Sequence, residues 1–226
     1  MREYLNVTDT LDSYGVSVVT LTEPFNTATK EGRMMQNTLL NFAEFERETI
    51  AGRVADAYST RSLETGFYQG GKFYYGYMPE RRTVNGKNGF VLVPSDKADI
   101  VKTAYQLYQD PEISLADVMA HFRNNGIEVN RTEKSNMDRS HFSRLLESPL
   151  YVRADKDVYQ YLISKDFEII DDIDAFDGIY GLFRHKRRDG TEYVKIGYHE
   201  GLVDSKTWLA VQDKKSHNSQ IPYNGG

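Results

Sequence analysis

The fold is decided by the stretch LTEPFNTATKEGRM, residues 21–34, which continues without a proline into FAEFERETIAGR, residues 42–53. Thr29 is of a residue type that caps helices, and Glu31 follows it near the positive N-terminal end. We therefore predict one long helix from Gly32 to about Thr65. Because this is well beyond the usual three or four turns, we interpret it as a helix that projects from its domain.

The two halves of this helix differ in polarity. Apolar residues occupy more than one side of the first half: Met34, Met35, Leu39, Leu40, Phe42 and Phe45. They are sparse in the second half, with Ile50, Val54 and Ala57. A helix that is apolar all round at one end and polar at the other suits one that leaves a protein core. The alternative is an ordinary core helix with a solvated end.

Upstream of this helix, the sequence predicts one helix–strand unit. Residues 3–14 have an amphipathic pattern that Gly15 ends, as a glycine just past a helix does. The β-branched, apolar run from Val16 to Leu21 predicts a buried strand. Since one helix cannot cover both faces of such a strand, we expect the chain to begin inside a domain.

Downstream, the segment from Gly66 to Gly89 is rich in glycine and tyrosine and predicts a loop or extended arm. Asn85-Gly86 and Asn88-Gly89 are turn signals, and Phe90 to Val93 resembles a short strand.

Three helices are predicted next. They run from Pro94-Ser95 to about Gln109, from a Ser114 cap to Asn125-Gly126, and from Asp138 to Ser148 before Pro149. The inward face of the first helix is predicted to be Ala98, Val101, Ala104, Tyr105 and Tyr108. That of the second is Leu115, Val118, Met119 and Phe122, and that of the third is Phe142, Leu145 and Leu146. The last two helices resemble a helix-turn-helix with a lengthened turn.

From Leu150 onward the pattern predicts a small α+β unit. Ile179–Phe183 and Tyr193–Tyr198 form a predicted hairpin around Asp189-Gly190. A helix around Trp208 is predicted from Asp204 to Lys214. The polar end, Asn218 to Gly226, is typical of a linker.

Composition narrows the classes of function. Of 226 residues, 39% are hydrophobic and 27% charged, which is ordinary for a protein with a packed core. No apolar run is long enough for a membrane span and no signal peptide opens the chain, so we predict a cytoplasmic protein. The absence of cysteine excludes disulfides and thiolate zinc sites, and the five histidines are scattered. We expect no metal and no cofactor.

Charge alternates in blocks along the chain, whose net charge is −5. Basic residues outnumber acidic ones between Gly66 and Gly89 and between Arg123 and Arg153. From Asp155 to Asp177 there are eight acidic residues, and the only basic ones are Lys156 and Lys165. Within this block, Asp171–Gly178 has a partial calcium-loop pattern, but Phe176 falls where an oxygen ligand is needed, which favours a solvated acidic loop.

Three motifs together resemble the large serine site-specific recombinases. The first is the Thr-rich turn and the FAEFERETIAGR helix, similar to the end of their catalytic domain. The second is GGKFYYGY at residues 70–77, similar to the arm that follows that helix. The third is LLESPLY at residues 145–151, similar to the close of their recombinase domain. The motifs stand in the family's order and span residues 16–151.

The resemblance implies a mixed, helix-rich α/β chain of three parts, truncated at both ends. Residues 1–65 would be the end of a resolvase catalytic domain with its long helix, residues 66–151 a DNA-binding recombinase domain, and residues 152–226 the lead-in to a missing cysteine-ligated zinc ribbon. The family's nucleophilic serine and its clamping arginines would lie upstream of Met1. Arg53 matches the signature arginine of the long helix, although Gly52 replaces the family's preceding glutamate.

The resemblance and the residue types together name candidate DNA contacts. A Gly-rich arm with Lys72 fits a minor groove, where only slim backbone enters; a self-packed surface loop is the alternative. Arg61, Arg81 and Arg82 lie at or near this arm and suit phosphates. The polar face of the Asp138–Ser148 helix suits a major groove, with Ser140, His141, Ser143 and Arg144; a plain surface helix is the alternative.

We thus predict the DNA-binding portion of a recombinase that cuts and rejoins double-stranded DNA at specific sites of a mobile element. The resemblance further implies a homodimer through the long helix and a tetramer at synapsis in the intact enzyme. This chain alone is predicted not to cleave DNA. A non-catalytic helix-turn-helix regulator is the second hypothesis, and an oligomerisation module built on the long helix is the third.

Overall fold

The structure is a computed structural model that describes residues 2–19, 26–71, 74–127, 129–132, 135–136, 138–187 and 189–220. The chain divides into two compact units, Met1–Tyr58 and Ser59–Gly226. Helices dominate and strands are short, so the predicted mixed, helix-rich α/β class is confirmed. Among these residues, no helix is both long and apolar enough to cross a membrane.

The first unit opens with helix α1 (Arg2–Ser13). Gly15 follows it in the left-handed conformation, with φ +71°. The amide of Val16 donates to the carbonyl of Leu11 at 2.9 Å, which is the closing bond of a Schellman cap. The predicted helix and its terminating glycine are therefore confirmed.

The buried strand predicted from Val16 to Leu21 is wrong over the residues that the structure describes. Val19 forms only an isolated bridge to Asn26, and the side chains of Val16 and Val19 are exposed. Within the described ranges no further strand pairs with this segment, so its alternating apolar residues have no sheet to bury them. Residues 20–25, including the predicted end of the strand at Leu21, lie outside the described part.

Helix α2 (Lys30–Glu64) is the long helix that the sequence predicted. Thr29 caps it, since its hydroxyl accepts the amide hydrogen of Gly32 at 2.9 Å. Gly32 is required here because a Cβ would lie 1.8 Å from the carbonyl oxygen of Asn26. Several apolar residues of its first half are exposed, including Met34, Phe42 and Phe45.

The second unit begins with the end of α2 and then a hairpin of β1 (Tyr77–Val84) and β2 (Lys87–Pro94). Asn85 and Gly86 join the strands with φ of 52° and 74°, the paired positive values of a type I′ turn. The loop predicted up to Gly89 is thus partly wrong. β1 escaped detection because it is exposed between its ends, so it lacks an apolar alternation.

Three helices follow as predicted: α3 (Ala98–Tyr108), α4 (Leu115–Asn124) and α5 (Arg139–Glu147). The short strands β3 (Asn130–Thr132) and β4 (Ser135–Asn136) lie between α4 and α5. Ser114 and Asp117 form a reciprocal capping box at the start of α4. The predicted inward faces are buried, except that Met119 is only partly so.

The C-terminal part comprises α6 (Lys156–Ser164), β5 (Glu168–Ile169), β6 (Tyr180–Lys186), β7 (Glu192–Glu200) and α7 (Ser205–Gln220). The sheet order is β5-β7-β6, and β6 and β7 form the predicted antiparallel hairpin. α7 extends past the predicted end at Lys214 into the expected linker, of which residues 221–226 lie outside the described part.

One hydrophobic core joins the segments before and after residue 151. Trp208 of α7 is buried, and its indole Nε1 donates to the carbonyl of Ser148 at 3.2 Å. On β7, the imidazole Nε2 of the buried His199 lies 2.9 Å from the carbonyl oxygen of Leu150. Because a carbonyl only accepts, Nε2 carries the hydrogen. The predicted boundary at 151/152 therefore falls inside one compact unit.

Candidate nucleic-acid interface

Helix α5 presents two chemically distinct faces. Phe142, Leu145 and Leu146 are buried, and Phe142 meets Phe122 of α4 with ring centroids 6.0 Å apart. On the opposite face, Ser140 and Arg144 are exposed, as the helical spacing predicted. The Nε of Arg144 donates to the carbonyl of Ser140 at 3.2 Å, and among the described residues no carboxylate forms an ion pair with its guanidinium.

His141 is engaged in capping its own helix. The carboxylate of Asp138 accepts the backbone amide of His141 at 2.8 Å and lies 2.7 Å from its imidazole Nδ1. The hydrogen bonds from that amide and then from the ring lower the pKa of Asp138. This histidine therefore supports the start of α5.

Ser143 faces the C-terminal helix. The ammonium of Lys215 donates to the Ser143 carbonyl at 3.2 Å and also binds the Ser143 hydroxyl. The same ammonium pairs with Glu147 at 2.8 Å. Of the four residues predicted on the reading face, only Ser140 and Arg144 thus face outward without such partners.

Arg81 and Arg82 lie on strand β1, not in a loop. They pair across the hairpin with Phe90 and Gly89, so as strand neighbours they point to opposite faces. Arg82 is bound to Glu80 at 2.9 Å, and this hydrogen bond lowers the pKa of the carboxyl. Arg81 is exposed and has no ion pair among the described residues.

The Gly- and Tyr-rich segment is buried at Phe67 and again at Tyr75 and Tyr77, and it is open at Gly70 and Gly71. Tyr75 and Tyr77 are buried, and the Tyr77 hydroxyl donates to the carbonyl of Glu200 at 2.7 Å. Gly70 and Gly71 have positive φ and no atom within 4 Å of an added Cβ. Lys72, the predicted phosphate contact, lies outside the described residues.

The two remaining predicted site residues lie on α2. Arg61 is exposed in its last turn, within the second unit, and Arg53 is exposed in the first unit.

The contacts that the sequence did not predict come from α7. Its Gln212 amide donates to the carbonyl of Leu146 at 2.8 Å, at the end of α5. The ammonium of Lys214 lies 3.0 Å from the Tyr108 carbonyl and 2.6 Å from the Ile113 carbonyl, and so binds the loop between α3 and α4. The three- and four-residue spacing around Trp208 signals a helix face, but not which helices it contacts.

No group of three or more potential metal ligands occurs in the part of the chain that the structure describes. In the acidic loop, Asp171 pairs with Lys195 at 2.9 Å and accepts the amide of Ile196 at 2.8 Å. Phe176 is buried against Tyr159. The loop is therefore partly packed and paired rather than fully solvated.

Comparison with known proteins identifies the class of this chain. Residues 95–218, more than half of it, match the Recombinase family, and residues 1–64 match the resolvase N-terminal domain. The chain therefore belongs to the Recombinase family. A resolvase domain followed by a recombinase domain makes it a large serine recombinase, as the three motifs predicted.

Two solved structures are similar to this chain over part of their length. One is the crystal structure of an LSR–DNA complex, with 14% identity and a TM-score of 0.44, over 75% of this chain and 39% of that chain. The other comes from work on the sequence requirements of the Listeria innocua prophage attP site, with 12% identity and a TM-score of 0.42, over 77% of this chain and 54% of that chain. The chain thus spans only about half of these proteins or less. A search of curated proteins found no match.

Proposed function

We propose that this chain is the DNA-binding portion of a site-specific serine recombinase that cuts and rejoins double-stranded DNA at specific sites of a mobile element. The observation that carries the proposal is the division of α5 into a buried apolar face and an exposed face with Ser140 and Arg144. A helix held in this way on a second helix is the arrangement that reads a major groove.

Two kinds of contact follow from the positions of the cations. Arg144 can reach base edges, where a guanidinium bonds guanine with two hydrogen bonds. Arg81 lies on an exposed hairpin strand, where phosphate contact is the simplest role. His141 contacts Asp138, and Ser143 contacts Lys215. The main role of these two residues is therefore to support α5, and base contact is assigned to Arg144.

The catalytic step is assigned to the intact protein and not to this chain alone. Of the family's active-site residues, the resemblance carries over only Arg53, and no serine here matches the family's nucleophile. An in-line attack on a phosphodiester needs several cations around the charge-rich transition state. A lone exposed arginine does not supply them.

The parts and partners of the intact protein are proposed on the same basis. Residues 1–65 would be the end of the catalytic domain with its long helix, and residues 66–151 the recombinase domain. Residues 152–226 share a core with the latter, which favours a direct role in the same DNA-binding body. The exposed apolar residues of α2 suit a homodimer. The intact protein would form a tetramer at synapsis. It would act in the cytoplasm, where the DNA lies.

The test is DNA selection with the full chain. A randomised pool of double-stranded oligonucleotides is incubated with the protein, and bound duplexes are recovered and sequenced. We expect one preferred sequence to be enriched, with weaker binding to scrambled duplexes. A regulator would also select a site, but the match of residues 1–64 to a resolvase domain favours the recombinase. Failure to bind any duplex would refute DNA binding.

A further inference from the structure

A groove borders the outward face of α5. Its lining includes Arg139, Ser140 and Arg144 from α5, and Lys165 and Arg184 from the end of α6 and from β6. Helix α7 packs against both α5 and α6 and contributes Trp208 and Lys215 to the same groove. The face proposed to read DNA is therefore continuous with a surface formed by the C-terminal segment.

The groove is cationic although the chain as a whole is acidic. Five cationic side chains and one carboxylate, Glu147, are among the described residues that line it. Lys215 is neutralised by Glu147, and Arg184 by Glu192. Arg139, Arg144 and Lys165 have no ion pair within the described ranges, so the groove keeps an excess of positive charge.

The cations on the α6–β6 side are held in place by aromatic rings. The guanidinium carbon of Arg184 lies 5.0 Å from the ring centre of Phe167, and the ammonium of Lys165 lies 5.5 Å from that of Tyr161. Such cation–π contacts orient a charge without neutralising it. These two side chains are thus positioned before any partner binds.

An anionic strand beside α5 is the partner that this charge pattern fits. A helix in the major groove is flanked by two sugar-phosphate backbones, because the groove is only about 12 Å wide. Double-stranded DNA carries one negative charge per roughly 1.7 Å of its axis. We propose that Lys165, which no carboxylate among the described residues neutralises, binds the phosphate backbone that borders the groove entered by α5. This inference rests on the proposed function and assigns DNA contacts to the segment after residue 151.

The test compares two lysines of the same helix region. Lys165→Ala removes the unpaired groove cation. Lys156→Ala is the matched control, because Lys156 is also exposed but lies at the start of α6, outside the groove lining, and pairs with Asp174 at 3.7 Å. Full-length variants are titrated by fluorescence anisotropy at several salt concentrations. The probes are a duplex of random sequence, the duplex that the unmodified chain selects, and a single-stranded oligonucleotide.

Lys165→Ala should weaken binding to both duplexes by the same factor. It should reduce the slope of log affinity against log salt by about 0.9, the value for one phosphate contact. Lys156→Ala should match the unmodified chain in both respects. Thermal unfolding of each variant checks that the fold is retained.

The outcomes separate this inference from the proposed function. If Arg144→Ala changes site preference while Lys165→Ala leaves the salt slope unchanged, the backbone contact is wrong and the reading helix stands. If Lys165→Ala affects only the single strand, the groove holds an unwound strand and the inference is again wrong. If the unmodified chain binds no duplex, both fall together.

Discussion

The hydroxyls of Ser62 and Tyr193 lie 2.6 Å apart, 131 positions distant in sequence and both buried. Ser62 belongs to the last turn of α2 and Tyr193 to β7. Further along β7, the amide of Tyr198 donates to the carbonyl of Gly66 at 2.8 Å. The end of the long helix is thus fixed to the C-terminal sheet by polar bonds inside the second unit.

Removing both of these hydroxyls should destabilise the protein by less than the sum of the two single removals. Ser62→Ala leaves the buried Tyr193 hydroxyl without its partner, at a cost of about 1–3 kcal/mol. Tyr193→Phe should cost less, because the Ser62 hydroxyl still donates to the carbonyl of Ser59 at 2.8 Å. In the double variant no hydroxyl remains unpaired, so we expect a coupling free energy between the two sites. Urea unfolding of all four proteins measures it. Tyr180→Phe, at a half-exposed tyrosine of β6, serves as the control; strictly additive effects would contradict the bond.

Acid should destabilise the second unit through His199. Burial lowers the pKa of His199 from its usual 6.5 to about 4. The unfolded chain therefore binds a proton between these values that the folded chain does not, so stability is complete above pH 6.5 and falls as the pH drops toward 4. The loss should approach about 3 kcal/mol, from roughly 1.36 kcal/mol per pKa unit.

Urea unfolding between pH 4 and 7.5 tests this effect. His199→Gln cannot take up the proton, so its stability should depend less steeply on pH than that of the unmodified chain. Gly181 and Gly197 approach the imidazole so closely that a Cβ would lie 2.4 Å and 2.2 Å from its ring atoms, so a loss of packing at all pH values is also expected. Equal pH slopes in the two proteins would exclude His199 as the source.

Arg144 and Arg81 should affect DNA binding in different ways. Arg144→Ala should remove about 1–3 kcal/mol of discrimination between the selected duplex and a scrambled one. Arg81→Ala should weaken both duplexes equally and lower the salt slope by about 0.9. Arg82→Ala should lower the slope less than Arg81→Ala, since Arg82 points to the opposite face and is paired with Glu80. If Arg144→Ala weakens both duplexes alike, α5 is not the reading helix.

Self-association should depend on the apolar surface of α2. Phe42 is 65% exposed, and burying such a ring in a partner contributes on the order of 2 kcal/mol. Phe42→Asp should therefore shift the chain toward monomer in sedimentation equilibrium. Ile163→Asp, at an apolar residue of α6 that is 48% exposed, is the matched control. An unmodified chain that stays monomeric at high concentration contradicts a dimer through this helix.

The chain alone should form no covalent adduct with DNA. The family resemblance assigns the nucleophile to a serine that none of the serines here matches. The test incubates the protein with supercoiled DNA that carries the selected site, denatures the mixture and examines DNA-bound protein by electrophoresis. A serine-linked adduct or a nicked plasmid would show that this prediction is wrong.

Sequence reasoning succeeded where local periodicity or turn chemistry decides the outcome. The face of α5, the Ser114 cap and the Asn85-Gly86 turn all follow from residues within a few positions of one another. It failed for β1, which is held by hydrogen bonds to β2 rather than by an apolar pattern, and for Val16 and Val19, whose burial requires a sheet around them.

The candidate site shows the same division between local and long-range effects. The pattern placed Ser140 and Arg144 on the outward face of α5, but Ser143 is taken by Lys215, 72 positions later. Lys165 lies in a stretch of sequence where acidic residues outnumber basic ones, yet it lines a cationic groove. Charges distant in sequence, such as Lys195 on Asp171, neutralise part of that acidity. Charge blocks counted along a chain cannot anticipate this.

The position of α7 at the end of the second unit has a consequence for synthesis. A ribosome releases the chain from its N-terminus, so α4 and α5 emerge while Trp208, Gln212 and Lys214 are still untranslated. Until then, the carbonyls of Leu146 and Ser148 lack the donors that α7 supplies, and the aromatic core stays open. Until translation has passed α7, α5 therefore lacks part of the packing and hydrogen bonding that holds it in the second unit.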